Sequence, residues 1–89
     1  MKNDEYLDYL FNKEVAIILK KKREEKDISL EELSNKIHNK VKRQTLFVYE
    51  TGRTRIKLSI FIDICLALHL NPQDVLDEIN MNYIRNAKI

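Results

Sequence analysis

The chain has 89 residues, 44% of them hydrophobic and 34% charged, which is enough for one modest core and excludes two independent domains. A single Gly, a single Pro and the lack of alternating apolar and polar runs exclude an all-β or α/β fold. Its net charge of +2 is unevenly spread: residues 20–57 carry twelve Lys or Arg against six acids, whereas residues 1–19 and 58–89 each carry two bases against four acids.

Residues 1–14 form an N-terminal extension in which Tyr6, Leu7, Leu10 and Phe11 make an apolar stripe running into Val15, and the extension is expected to lengthen the first helix. That helix is predicted over Val15 to about Lys26, with Val15, Ile18 and Leu19 inward and KKKREEK as a solvated face. Ser29 and Glu32 have the spacing of a capping box, so the second helix starts at Leu30. Leu30, Leu33 and Ile37 share its inner face, and the pattern breaks at His38, Asn39 and Lys40, which marks a turn. From Lys42 to Thr51 a third helix turns Leu46 and Tyr49 inward. Gln44, Phe47, Val48 and Thr51 then point outward, with Arg43 beside them. Gly52 takes the left-handed position that ends the helix. RTR at 53–55 is a loop, and Leu58 to Leu70 is a fourth helix, apolar nearly all round, in which the lone Cys65 is a small core residue. Asn71 and Pro72 cap and open a fifth short helix containing Val75, Leu76 and Ile79. The helical unit is expected to end near residue 80, leaving 81–89 as a tail with no assigned element.

Two short helices around a tight turn, coinciding with the basic centre of the chain, point to double-stranded DNA, because phosphate neutralisation supplies most sequence-independent affinity. No phosphate-cradling Gly loop, nucleophile elbow or metal box is present, so neither an enzyme nor a cofactor is expected. His38 and His69 have no ligand partners at metal spacing. Glu31 and Glu32 belong to a helix N-terminus, where the dipole favours them. No run is long and apolar enough for a bilayer, and MKNDEYLDYLF is too acidic for a signal peptide, so a cytoplasmic location is expected.

Leu19 and Arg23, SLEEL at 29–33, YETGRTR at 49–55, and Leu58, Ile64, Ala67, Leu68 and Asn71-Pro72 together resemble the Cro/cI-like (XRE-type) helix-turn-helix family of phage and bacterial repressors. The resemblance implies an all-α, compact five-helix domain whose third helix enters the major groove, with members acting as dimers on two-fold symmetric operators. It places Arg43, Gln44, Phe47, Val48 and Thr51 where base-reading side chains stand. Gln44 would pair with adenine, Arg43 with guanine, and Phe47 and Val48 would meet thymine methyl groups. Lys40, Lys42, Arg53, Thr54 and Arg55 match phosphate-contacting positions. Arg23 and Glu50 match a structural ion pair between the first and third helices. The chain departs from the family in a turn, His38 to Val41, that is two residues longer than usual. Leu30 replaces a phosphate-binding Gln, and His69 replaces a capping Gly. Ile60 and Leu66 are extra apolar residues on helix four and are the expected homodimer interface. A transcriptional repressor of a phage, plasmid or other mobile element is the leading expectation, with a protein antagonist as a further partner and no membrane partner. The alternative is a protein-interaction module on the same fold, of the antitoxin or antirepressor type, using Phe47, Val48 or residues 6–11.

Overall fold

In the computed structural model, which describes residues 3–87 and side chains from residue 6 onward, five helices follow in chain order. They are α1 (Asn3–Glu25), α2 (Leu30–Lys36), α3 (Arg43–Glu50), α4 (Leu58–Ala67) and α5 (Pro72–Ala87). No strand occurs among the described residues. The capping box at the start of α2 is complete: the Ser29 hydroxyl accepts the Glu32 N–H at 3.0 Å, and the Glu32 carboxylate accepts the Ser29 N–H at 3.2 Å. At α5 the Asn71 side chain accepts the Gln73 N–H at 2.8 Å, while Pro72 occupies a first-turn position that needs no donor.

The helix ends follow one recurring geometry. Asp27, His38 and His69 have φ of 55, 58 and 58°, just past α1, α2 and α4. Each is followed by a residue whose N–H reaches five residues back: Ile28 to Arg23, Asn39 to Ser34 and Leu70 to Cys65. These are left-handed helix caps built without glycine, a conformation that costs an L-residue about 1 kcal/mol. Only α3 uses Gly for this purpose: Gly52 has φ 77°. A Cβ there would lie 3.5 Å from Lys13 Cα, an ordinary contact, so it is the dihedral that favours glycine.

One core joins all five helices through Ile18, Leu19, Leu33, Leu46, Ile64, Leu68 and Ile79, each at most 5% exposed. Burying a side chain of this kind stabilises the fold by about 1.5–3 kcal/mol. Cys65 lies in the same core at 0% exposure, and burial pushes its thiol up to about 11 because the thiolate would lose its hydration. α1 and α5 run side by side. Phe11 meets Tyr83 edge to face at 5.4 Å, Asn86 donates to the buried Glu14 carboxylate at 2.6 Å, and Lys22 pairs with Glu78 at 3.3 Å.

α1 begins at Asn3, so residues 3–14 are continuous with it, as the apolar stripe running into Val15 predicts. One element is longer than the sequence pattern outlined. α5 runs through residues 81–87, which carried no assigned element, because Tyr83 and Asn86 find partners on α1. The remaining tail positions, 88 and 89, lie outside the described residues.

Candidate nucleic-acid interface

The turn between α2 and α3 sets where α3 lies. Its backbone takes consecutive left-handed conformations at His38 and Asn39, with φ of 58 and 57°. Ile37 and Val41, 3% and 8% exposed, anchor its two ends in the core. Between them, the buried Ser34 hydroxyl donates to the Val41 carbonyl at 2.7 Å, and the Asn39 amide oxygen lies 3.3 Å from the same hydroxyl. Ser34 belongs to none of the sequence-derived sites. The signal for it was local: Leu30, Leu33, Ser34 and Ile37 fall on one helical face, so a hydroxyl sits among apolar neighbours and needs a partner.

From behind, α3 is held by a bidentate ion pair. Arg23 donates through Nε and Nη2 to the two Glu50 oxygens at 2.7 and 2.8 Å, and through Nη1 to the Ile28 carbonyl at 2.7 Å. The two side chains are 11% and 10% exposed. The hydrogen bond to Glu50 raises the Arg23 guanidinium above its ordinary range against the opposing cost of burial. The pair thereby ties the end of α1, the following loop and the end of α3 together.

In front, α3 presents Arg43, Gln44, Phe47 and Thr51 as exposed side chains, with Val48 at the edge of the stripe. Spacings of three and four residues put these on one surface. Phe47 is 59% and Val48 36% exposed. The Thr51 hydroxyl donates back to the Val48 carbonyl and accepts the Arg53 N–H at 3.4 Å.

The five residues expected at phosphates lie on both sides of this stripe, and all are exposed. Lys42 is the N-cap of α3 and makes no side-chain capping bond. Neither Lys42, Arg43 nor Arg53 forms an ion pair among the described residues. Lys40 and Arg55 are engaged within the chain: Lys40 Nζ sits 3.1 Å from Asp63, and Arg55 donates to Asp8 on the α1 extension. Pairs this exposed contribute at most about 1 kcal/mol, so a phosphate can take the acid's place. The partners Asp8 and Asp63, 47 and 23 residues away in the chain, had no local signal.

On α4, packing separates the two residues expected at a dimer interface. Leu66 is 58% exposed, whereas Ile60 is half-buried against the core. The outward ridge is Leu58, Ile62 and Leu66, at 64, 37 and 58% exposure. Among the described residues no cluster of three His, Cys, Asp or Glu is placed to hold a metal ion, and no helix is long and apolar enough to cross a membrane.

A family model described as helix-turn-helix matches residues 19–75, from the last third of α1 into the first turn of α5. Comparison with curated proteins gave no match, and comparison with solved structures gave none. The chain belongs to the Cro/cI-like (XRE-type) helix-turn-helix family and is a DNA-binding regulator of that type.

Proposed function

Proceeding from membership of this helix-turn-helix family, we propose that the protein is a cytoplasmic repressor from a phage, plasmid or other mobile element, and that it binds a two-fold symmetric operator as a homodimer. The observation that carries this reading is the front of α3: Arg43, Gln44 and Phe47 are exposed on a helix whose back is fixed by Leu46 and by the Arg23–Glu50 pair. Such a helix can enter the major groove without reorganising. Gln44 is suited to adenine N6 and N7, Arg43 to guanine O6 and N7, and Phe47, Val48 and the Thr51 methyl to thymine methyl groups. Each good bidentate contact supplies about 1–3 kcal/mol of discrimination. Lys40, Lys42, Arg53, Thr54 and Arg55 hold phosphates and fix the register.

The α4 ridge of Leu58, Ile62 and Leu66, with Ile60 beside it, is the proposed dimer contact, because an exposed apolar row on an otherwise packed helix gains from burial against a second copy. Half-sites then lie about one helical turn, roughly 34 Å, apart. A protein antagonist that covers the front of α3 would lift repression. The exposed Phe47 and Val48 also favour a second reading, an antitoxin- or antirepressor-type module in which this surface meets a protein. Selection of duplexes from a random library by the purified protein at near-physiological salt separates the two. Enrichment of a two-fold symmetric site supports the repressor, and its absence, with only weak salt-sensitive binding, supports the protein-interaction module.

A further inference from the structure

Helix α1 carries on its outer side a stripe that the fold does not use. Tyr6, Tyr9, Lys13, Ile17 and Lys20 recur at spacings of three and four, so they share one face about 21 Å long, with Lys21 at its edge. All are exposed, Tyr6 at 45%, Tyr9 at 51% and Ile17 at 51%. The Lys13 ammonium lies over the Tyr9 ring, 5.9 Å from its centroid. Single exposed apolar residues are ordinary, but three alternating with lysines along one ridge form a joint apolar and cationic surface. Of the acids along this part of α1, which are Asp4, Glu5, Asp8 and Glu14, Asp8 lies on the other side of the helix and is paired with Arg55, and Glu14 is buried and accepts from Asn86. Glu24 closes the stripe at its far end.

The position of the stripe matters as much as its composition. Gly52, at the end of α3, sits against α1 near the Lys13 Cα and the Ala16 methyl. Ile17, Lys20 and Lys21 border a groove that Glu24 and Glu25 of α1 and Glu50 of α3 also line. The stripe therefore lies beside the C-terminal end of α3.

We propose that this outer stripe of α1 binds the sugar-phosphate backbone of duplex DNA flanking the half-site read by α3. The inference rests on the DNA-reading role proposed above. Lys13, Lys20 and Lys21 supply ammonium groups for phosphate oxygens, the Tyr6 and Tyr9 hydroxyls donate to the same oxygens, and the tyrosine rings and Ile17 cover deoxyribose. Contacts of this kind extend the footprint and raise affinity without reading sequence. Each phosphate neutralised steepens the dependence of log affinity on log salt by about 0.9.

The test uses the full chain and duplexes carrying the selected site, with flanks shortened stepwise to the bare site. Wild-type affinity is expected to fall about tenfold as the flanks are removed. A Lys13→Ala/Lys20→Ala variant, its fold checked by circular dichroism, is expected to bind the bare site like wild type, to gain nothing from flanks, and to show a salt slope shallower by about 2 on the longest duplex. Flank-independent wild-type binding, or a variant that keeps the flank dependence, overturns the inference while leaving the role of α3 intact. Absence of any sequence preference at the bare site removes that role and the inference with it. Flank independence together with binding of poly-L-glutamate at the stripe assigns it to an acidic protein partner instead.

Discussion

On the inner side of α3, Leu46 is 2% exposed and the Glu50 carboxylate is held through two hydrogen bonds by Arg23. On the outer side, Phe47 is 59% exposed, and neither Arg43 nor Gln44 has a side-chain partner among the described residues. The helix has only eight residues, too short to persist in water by its own propensity, so its inner contacts must supply its order. Once ordered from behind, it offers groups in front that water alone satisfies and that a base edge can take over without cost to the fold. The difference teaches that stability and recognition are carried by different residues of one helix and can be changed separately.

Four substitutions probe that separation, in order of decreasing effect. Leu46→Ala empties a fully buried site and should cost about 3 kcal/mol. For a domain of this size that lowers Tm by roughly 12–24 °C in a thermal melt, and a small shift would mean that α3 is not anchored through the core. Arg23→Met strands the Glu50 carboxylate at a site about one tenth exposed and should cost about 2–3 kcal/mol in urea unfolding. Adding Glu50→Leu should restore most of the loss, since replacing both charges by apolar groups is often neutral. Ser34→Ala removes the donor to the buried Val41 carbonyl and should cost about 1 kcal/mol. Affinity for the selected site should fall by more than that loss explains, because the turn that aims α3 is released. Arg55→Ala should leave stability within about 0.5 kcal/mol, as its pair with Asp8 is exposed. It should weaken DNA binding alike for all sequences and reduce the salt slope by about 1.

The parts of the fold that depend on neighbouring residues were legible in the sequence. The Ser29 and Glu32 box, the Asn71-Pro72 start and Gly52 each mark an element boundary by chemistry confined to a few positions. The inward and outward faces of α3 follow from helical spacing alone, with Leu46 buried and Gln44, Phe47 and Thr51 exposed. The end of α4 was harder to see: the helix was expected to reach Leu70 but stops at Ala67, where His69 adopts the left-handed conformation that glycine would have announced. Helix α5 continues to Ala87 through contacts of Tyr83 and Asn86 with residues some seventy positions away on α1, and no local pattern encodes such a pairing. The same limit applies to the site. Arg43, Gln44 and their neighbours could be placed from spacing, but the pairing of Lys40 with Asp63 and of Arg55 with Asp8 depends on how α1 and α4 pack. The grouping of Ile60 with Leu66 treated α4 as apolar all round, whereas packing turns Ile60 towards the core and leaves Leu58 and Ile62 on the outer ridge.

The most direct test of the account compares the wild-type chain with an Arg43→Ala/Gln44→Ala variant, measuring affinity for the selected duplex and for a scrambled duplex at one fixed salt concentration. The account predicts that the variant melts within about 0.5 kcal/mol of wild type, as expected for exposed positions. It should bind the scrambled duplex at most a few-fold more weakly, and its preference for the selected site should collapse by about 30-fold or more, two contacts at about 1–3 kcal/mol each. An unchanged preference in a folded variant would contradict the assignment of base reading to the front of α3.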